Sequence, residues 1–404
     1  MFDYRLTEEQ IALQKLAHEF AEKEVRPIGL ELDHNPDPAK AAYMEPLLEK
    51  ADKVGLRTMG IPERYGGGGI DDLFSHCVVA EELSWGNRGI CGMLLSATKI
   101  THILESELCP SEEIREKWLR AYCDDPHFLI STATTEPNSG SENLLPYSAP
   151  DSGYRTSAVR EGDEYVINGM KHFVSNIGWA KLYFVYVRTD QTKGVDEGAS
   201  LMMIPRDTPG VSHGRVHDKM GYRLNLNREL MMDNVRIPVE YRLGPENCGV
   251  SYIRRHMRGD ALINAAAMVG LARAAYEDTL EYAKTRVASG KPIIEHQAIA
   301  SKIIDMYTGI EAARAYVLYG AWRVDAAWNG VDGKKIPGDP KMSASASYFA
   351  HEVACDVTRA AMEIHGGMGV MREIPIEMYF RDAHNMMHSD GGNIMKRLKA
   401  IRGL

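Results

Sequence analysis

The apolar residues Leu13, Leu16, Ala17 and Phe20 recur at i, i+3, i+4 and i+7, the spacing of one face of an α-helix. Thr7 and Gln10 stand three residues apart just ahead of this stripe, with Glu8 and Glu9 between them. The pair predicts a capping box, and the two acids suit the positive end of the helix dipole. The pattern stops near Pro27, and DHNPDPA (33–39) reads as a loop before a further helix to about Lys53. In IPERYGGGGIDD (61–72), four consecutive glycines exclude a regular element, because fixing them costs too much backbone entropy. Apolar, helix-like sequence then runs from Leu73 to about Cys123, interrupted near Pro110.

The pattern changes after Pro126. Tyr165–Asn168, Leu182–Arg188, Ser200–Ile204 and Glu229–Asn234 are short runs rich in Val, Ile, Tyr and Met, separated by Gly, Pro, Asn and Asp. They read as strands. Helical sequence returns from about Ser251, with long helices expected over 261–285, 295–329 and 341–365. GGMG (366–369) ends the last of these, Pro375 starts a short helix, and a final one follows Gly392. The reading is an α+β chain in three parts: an N-terminal α-helical domain (1–126), a central β domain (127–240) and a C-terminal helical bundle (241–404).

Composition narrows the function. The 404 residues are 44 % apolar and 25 % charged, which is ordinary for a globular protein. No apolar run approaches the roughly 18 residues of a membrane span. The start, MFDYRLTEEQ, lacks the basic and apolar regions of a secretory leader. A net charge of −9 argues against a nucleic-acid partner, which calls for a basic face. Six cysteines with shortest gaps of 14 residues form no C-x-x-C pair, so reduced thiols in a cytoplasmic setting are expected.

Three segments can carry chemistry. Residues 132–141, TATTEPNSGS, offer hydroxyls and backbone N–H groups to a phosphate or heterocycle, or form a plain polar turn. HGGMG (365–369) either ends a helix or lets a ligand approach the backbone. HNMMHSDGGN (384–393) places Asp390 between methionines and a glycine pair, as a helix cap or as a base in an apolar pocket. The histidines show no metal-ligand spacing, and no metal is expected.

The order and spacing of these pieces resemble the acyl-CoA dehydrogenase family over nearly the whole chain. TEPNSGS (135–141), EYVINGMKHFVSN (164–176), KMGYR (219–223) with ELMMDNVRIP (229–238), YAKTRVASGKPIIEHQAIA (282–300), EIHGGMGV (363–370) and RDAHNMMHSDGG (381–392) match its motifs in order. The resemblance implies a helical domain, a β-barrel-like domain and a four-helix bundle. It also implies one FAD per chain and a homotetramer. Thr134 and Thr135 would then address the flavin ring, and Ser141 would lie near the cofactor's phosphates. Phe173 stands where the family has Trp, and Ser175 where it has Thr or Ser. Arg286 and Gln297 would reach the FAD of a neighbouring subunit, while Glu363, Gly366 and Gly367 would line the adenosine and pyrophosphate. Gly392 stands where the family has Thr beside its base.

The family's catalytic Glu falls on Asp390. In some members the Glu sits instead on the first long helix of the C-terminal domain, a position that falls on Asp260, with Arg258 the closest arginine. Ser141, Arg258, Ser389 and Gly391 would meet substrate. The implied reaction is α,β-dehydrogenation of an acyl-CoA: the carboxylate removes the α-proton and the β-hydride leaves to flavin N5. Electrons would pass to electron-transferring flavoprotein. Asp is shorter than Glu by one C–C bond, about 1.5 Å, and Ser389 leaves room beside it. Both changes favour a bulky, branched, cyclic or oxygenated acyl group. Two other readings are a flavin oxidase resembling nitroalkane oxidase, which uses an Asp base, and a binding protein like the DNA-associated flavoprotein relatives. The acidic balance disfavours the second.

Overall fold

Thr7 caps the first helix, α1 (Glu8–Phe20), with both bonds of the capping box formed: Gln10 N donates to Thr7 Oγ1 at 3.2 Å, and Thr7 N to Gln10 Oε1 at 3.0 Å. The helical path does not stop at Pro27 as the sequence suggested. A π-helical turn (Ala21–Val25) leads straight into α2 (Arg26–Asp33), with Pro27 in its first turn. Proline, which has no N–H to donate, is tolerated in the first turn of a helix. The computed structural model describes residues 5–42, 44–95, 98–144, 149–257, 259–330, 336–389 and 392–402.

Short helices α3 (Pro38–Ala41) and α4 (Glu45–Lys53) precede the glycine-rich stretch, which forms no helix or strand over 66–69. The apolar sequence that follows becomes α5 (Leu73–Gly86), α6 (Arg88–Leu94), α7 (Thr98–Glu105) and α8 (Glu112–Asp124). Every residue of α5 is buried, because α5 packs against α1 on one side and the C-terminal helices on the other.

The central domain is one eight-stranded sheet. Its strands are β1 (Ile130–Ala133), β2 (Ser157–Glu161), β3 (Glu164–Ser175), β4 (Leu182–Arg188), β5 (Ala199–Pro205), β6 (Val211–Val216), β7 (Asn227–Pro238) and β8 (Arg242–Leu243). They lie in the order β6-β7-β3-β2-β4-β5-β8, with β1 parallel to the first half of β4. All seven residues of β4 are buried, as an unbroken apolar run at a sheet centre should be. β2 and β6 were not legible in the sequence: both are short, polar and largely open to solvent.

Beyond α9 (Gly249–Arg254) come α10 (Asp260–Thr285), the small hairpin β9 (Val287–Ala288) and β10 (Lys291–Pro292), α11 (Gln297–Trp328), α12 (Pro340–His365), α13 (Ile376–Met386) and α14 (Gly392–Ile401). α10, α11 and α12 pack on one another, and α12 also meets α13 and α14. α10 reaches across to α5 at Gly270, where a Cβ would stand 2.0 Å from the Glu81 carbonyl oxygen. Among the described residues no helix is long and apolar enough to cross a membrane.

Candidate active site

A cavity of about 680 Å³ lies where all three parts of the chain meet. The sheet contributes β1 with residues 134–135 and 140–141, the end of β3, and the turn leading into β7. One wall is α6 with the first two turns of α10, and Asn385, Met386, His388, Ser389 and Gly392 close the border.

Buried polar bonds hold the sheet side in place. Lys171 Nζ donates to Glu136 Oε1 at 2.9 Å and to the Thr134 carbonyl at 3.1 Å, and His172 N donates to the Thr135 carbonyl at 2.8 Å. The loop carrying the threonines is thereby tied to β3. Asn227 Nδ2 donates to the Phe173 carbonyl and to Ser175 Oγ, both at 3.0 Å. These bonds hold Phe173 at φ 54°, with the residue 57 % exposed. A bulky residue in this region costs of order 1–3 kcal/mol, so the surrounding bonds impose the bend.

The described charged groups on the lining are mostly cationic. Arg88, Lys219 and Arg254 face one described carboxylate, Asp260. Burial pulls the Lys219 ammonium down to about 7 against the attraction of Asp382. Lys219 donates to the Asn225 carbonyl at 2.5 Å and to Asn227 Oδ1. Burial likewise pushes the Asp382 carboxyl up to about 7, while its Oδ1 accepts the Tyr222 N–H at 2.5 Å.

Eight residues expected from sequence border this cavity: Thr134, Thr135, Ser141, Phe173, Ser175, Asp260, Ser389 and Gly392. Arg286, Gln297, Glu363, Gly366 and Gly367 do not line it; all are exposed. They gather at one end of the helical bundle, where Tyr282 stacks on His365 at 4.1 Å between ring centres and Lys302 pairs with Glu363. Asp390, Gly391 and Arg258 lie outside the described residues, though Ser389 and Gly392 on either side of the first two border the cavity. Arg88, Asn176, Lys219 and Asn264 also line it and were not singled out from sequence. The available signal for Arg88 was a charge inside an otherwise apolar helical run.

The residues present fit a flavin dinucleotide. Asn176 Nδ2 and Asn225 Oδ1 are buried on the lining without partners among the described residues, and such groups call for a polar ligand. Hydroxyls of Thr134, Thr135, Ser141 and Ser175 stand on the same lining.

The family models of the acyl-CoA dehydrogenase N-terminal, middle and C-terminal domains match residues 7–125, 131–235 and 247–404. The solved butyryl-CoA dehydrogenase of Megasphaera elsdenii is 32 % identical, with a TM-score of 0.88 and 99 % of both chains covered. A chain solved in work on the electron transferring flavoprotein of Acidaminococcus fermentans is 31 % identical, with a TM-score of 0.86 and 99 % of both chains covered. Cyclohex-1-ene-1-carbonyl-CoA dehydrogenase of Geobacter metallireducens is 31 % identical over 99 % of this chain and 98 % of its own. With its three-part fold and its cavity between sheet and helices, this chain belongs to the acyl-CoA dehydrogenase family, FAD-dependent oxidoreductases acting on the CH–CH bond of acyl-CoA thioesters.

Proposed function

We propose that the chain dehydrogenates a bulky, branched, cyclic or oxygenated acyl-CoA at its α,β-bond, with Asp390 as the base. The observation that carries this reading is that Ser389, Gly392 and Asp260 border the same cavity as Thr134, Thr135 and Ser141. Bound there, FAD supplies the acceptor for the β-hydrogen as hydride. Asp390 removes the α-proton, and the backbone N–H at its own position polarises the thioester oxygen, an oxyanion-hole arrangement. Arg258, Ser389 and Gly391 meet the substrate around it, and Ser141 serves both cofactor and substrate. Asp260 is the alternative base. A misplacement of roughly 1 Å can cost about a hundredfold in rate, so the shorter Asp suits an acyl group whose shape brings Cα closer. The cyclic substrate named for the Geobacter relative supports a bulky acyl group.

Thr134, Thr135, Phe173, Ser175 and Gly392 hold the flavin end. Arg286, Gln297, Glu363, Gly366 and Gly367 serve the FAD of a neighbouring subunit in a homotetramer. Their exposure, beside Val287, Met368, Val370 and Met371 at 57 %, 43 %, 63 % and 43 %, supports a subunit contact at this end of the bundle. In the division 1–126, 127–240 and 241–404 each part lines the cavity, and the last also carries the subunit contact. Electron-transferring flavoprotein is the acceptor, and the six free cysteines suit the cytoplasm. The test is a panel of CoA thioesters assayed with an artificial electron acceptor and by flavin bleaching. Bleaching by branched or cyclic substrates supports the reading. Turnover of none overturns it, and fast oxygen consumption with a nitroalkane overturns it in favour of the oxidase reading.

A further inference from the structure

Arg88 has no task in the reaction so far described. It opens α6 and is 1 % exposed, yet it borders the cavity. Its Nη2 donates to Asn264 Oδ1 at 2.8 Å, and its guanidinium carbon lies 5.1 Å from the Tyr222 ring centre. Nε and Nη1 have no hydrogen-bond partner among the described residues. A guanidinium stays charged and presents its donors in a planar fork that matches a carboxylate. Burying it with two donor nitrogens idle is strongly unfavourable unless an anion arrives. Asp382 feels the charge of Arg88, but its Oδ1 accepts the Tyr222 N–H.

The surroundings point the same way. A Cβ on Gly92 would stand 1.9 Å from Tyr222 Oη and 3.1 Å from Arg88 Nη1, so the bare backbone there makes room for both groups. Cys91, Leu95 and Ile263 line the cavity beside them. A wholly apolar acyl chain would leave the buried cation uncompensated, whereas a carboxylate would gain charge-assisted bonds. Asp260 and Asn264 stand one turn apart on α10, about 6 Å along its axis. Both border the cavity that Arg88 borders, so an acyl group lying in it passes Arg88.

We propose that Arg88 binds a carboxylate at the far end of the acyl group, so that the substrate is an ω-carboxyacyl-CoA. This rests on the dehydrogenase reading and narrows its oxygenated option. The experiment compares glutaryl-CoA with pentanoyl-CoA, and adipyl-CoA with hexanoyl-CoA, on the flavin-loaded wild type and on Arg88→Met. kcat/KM is followed with an artificial acceptor, and anaerobic calorimetry reports binding separately. The wild type is expected to prefer the carboxylated member by about a hundredfold or more. Arg88→Met should bring that ratio near one, and Arg88→Lys should restore part of it. Equal use of both series by the wild type overturns the assignment and leaves the dehydrogenase reading standing. So does an equal fall for both series in Arg88→Met, which marks a structural role, or loss of FAD from that variant, which marks a cofactor contact. Neither turnover nor binding of either series overturns both readings.

Discussion

Glu136 and Lys171 form an ion pair with Oε1 and Nζ 2.9 Å apart and side chains only 7 % and 0 % exposed. The Glu136 carboxylate also accepts the backbone N–H of Arg155 at 2.6 Å and of Thr156 at 2.8 Å. One buried carboxylate thus joins the threonine loop, β3 and the approach to β2. Burial pushes the Glu136 carboxyl up, but Lys171 and these donors outweigh it and hold the group below its usual range. Burial pulls Lys171 down to about 8 against the attraction of Glu136.

Lys171→Met should therefore leave a buried charge without its partner. Removing one member of such a pair costs about 3–5 kcal/mol, and the threonine loop should loosen with it. Urea unfolding should show that loss, with weaker FAD retention alongside. A loss below about 1 kcal/mol with normal flavin content would contradict the assigned role.

Arg286 supports the opposite expectation. Its side chain is exposed at the end of α10, so Arg286→Ala should change monomer stability by no more than about 0.5 kcal/mol. In the proposed tetramer it should still weaken FAD binding, because the contact crosses subunits. Flavin content after dialysis and mass by light scattering check this together. An active FAD-bound monomer would rule out the shared site.

Asp325 gives a pH signature. Its oxygens accept the N–H groups of Leu73 at 2.8 Å and Phe74 at 3.0 Å. Burial, opposed by these bonds and helped by Asp72 and Asp71, pushes its carboxyl up to about 7. From about pH 4 to pH 7 the folded chain then binds more protons than the unfolded one, so this group's contribution to stability falls as pH rises through that window. Asp325→Asn should remove that slope. Thermal unfolding at both ends of the window should show the wild type losing more than the variant, and identical losses would contradict the assignment.

The elements were legible where the cue was local. Thr7 with Gln10 announced α1, and the apolar run 182–188 announced β4. The division of the sequence after Leu73 was less plain. Asn87 ends one helix and caps the next, its Oδ1 accepting Gly89 N at 2.8 Å and Ile90 N at 3.2 Å, which is a side-chain act invisible to periodicity. The loops of the cavity were legible as hydroxyl-rich or glycine-rich segments. Arg88 was not, because its meaning depends on Asn264, 176 residues away. Lys219 was read only as part of a motif, since its burial depends on how the turn folds against the cavity.

In the proposed reaction a carboxylate in the 389–392 segment removes the α-proton of an acyl-CoA. Rapid mixing of acyl-CoA with flavin-loaded Asp390→Asn and Asp260→Asn, followed by flavin bleaching, tests it most directly. Asp390→Asn should keep its FAD and slow reduction by about 10²–10⁴-fold, while Asp260→Asn should slow it less. Reduction of Asp390→Asn at the wild-type rate with Asp260→Asn inactive would move the base to α10, and normal reduction in both would contradict α-proton abstraction by either residue.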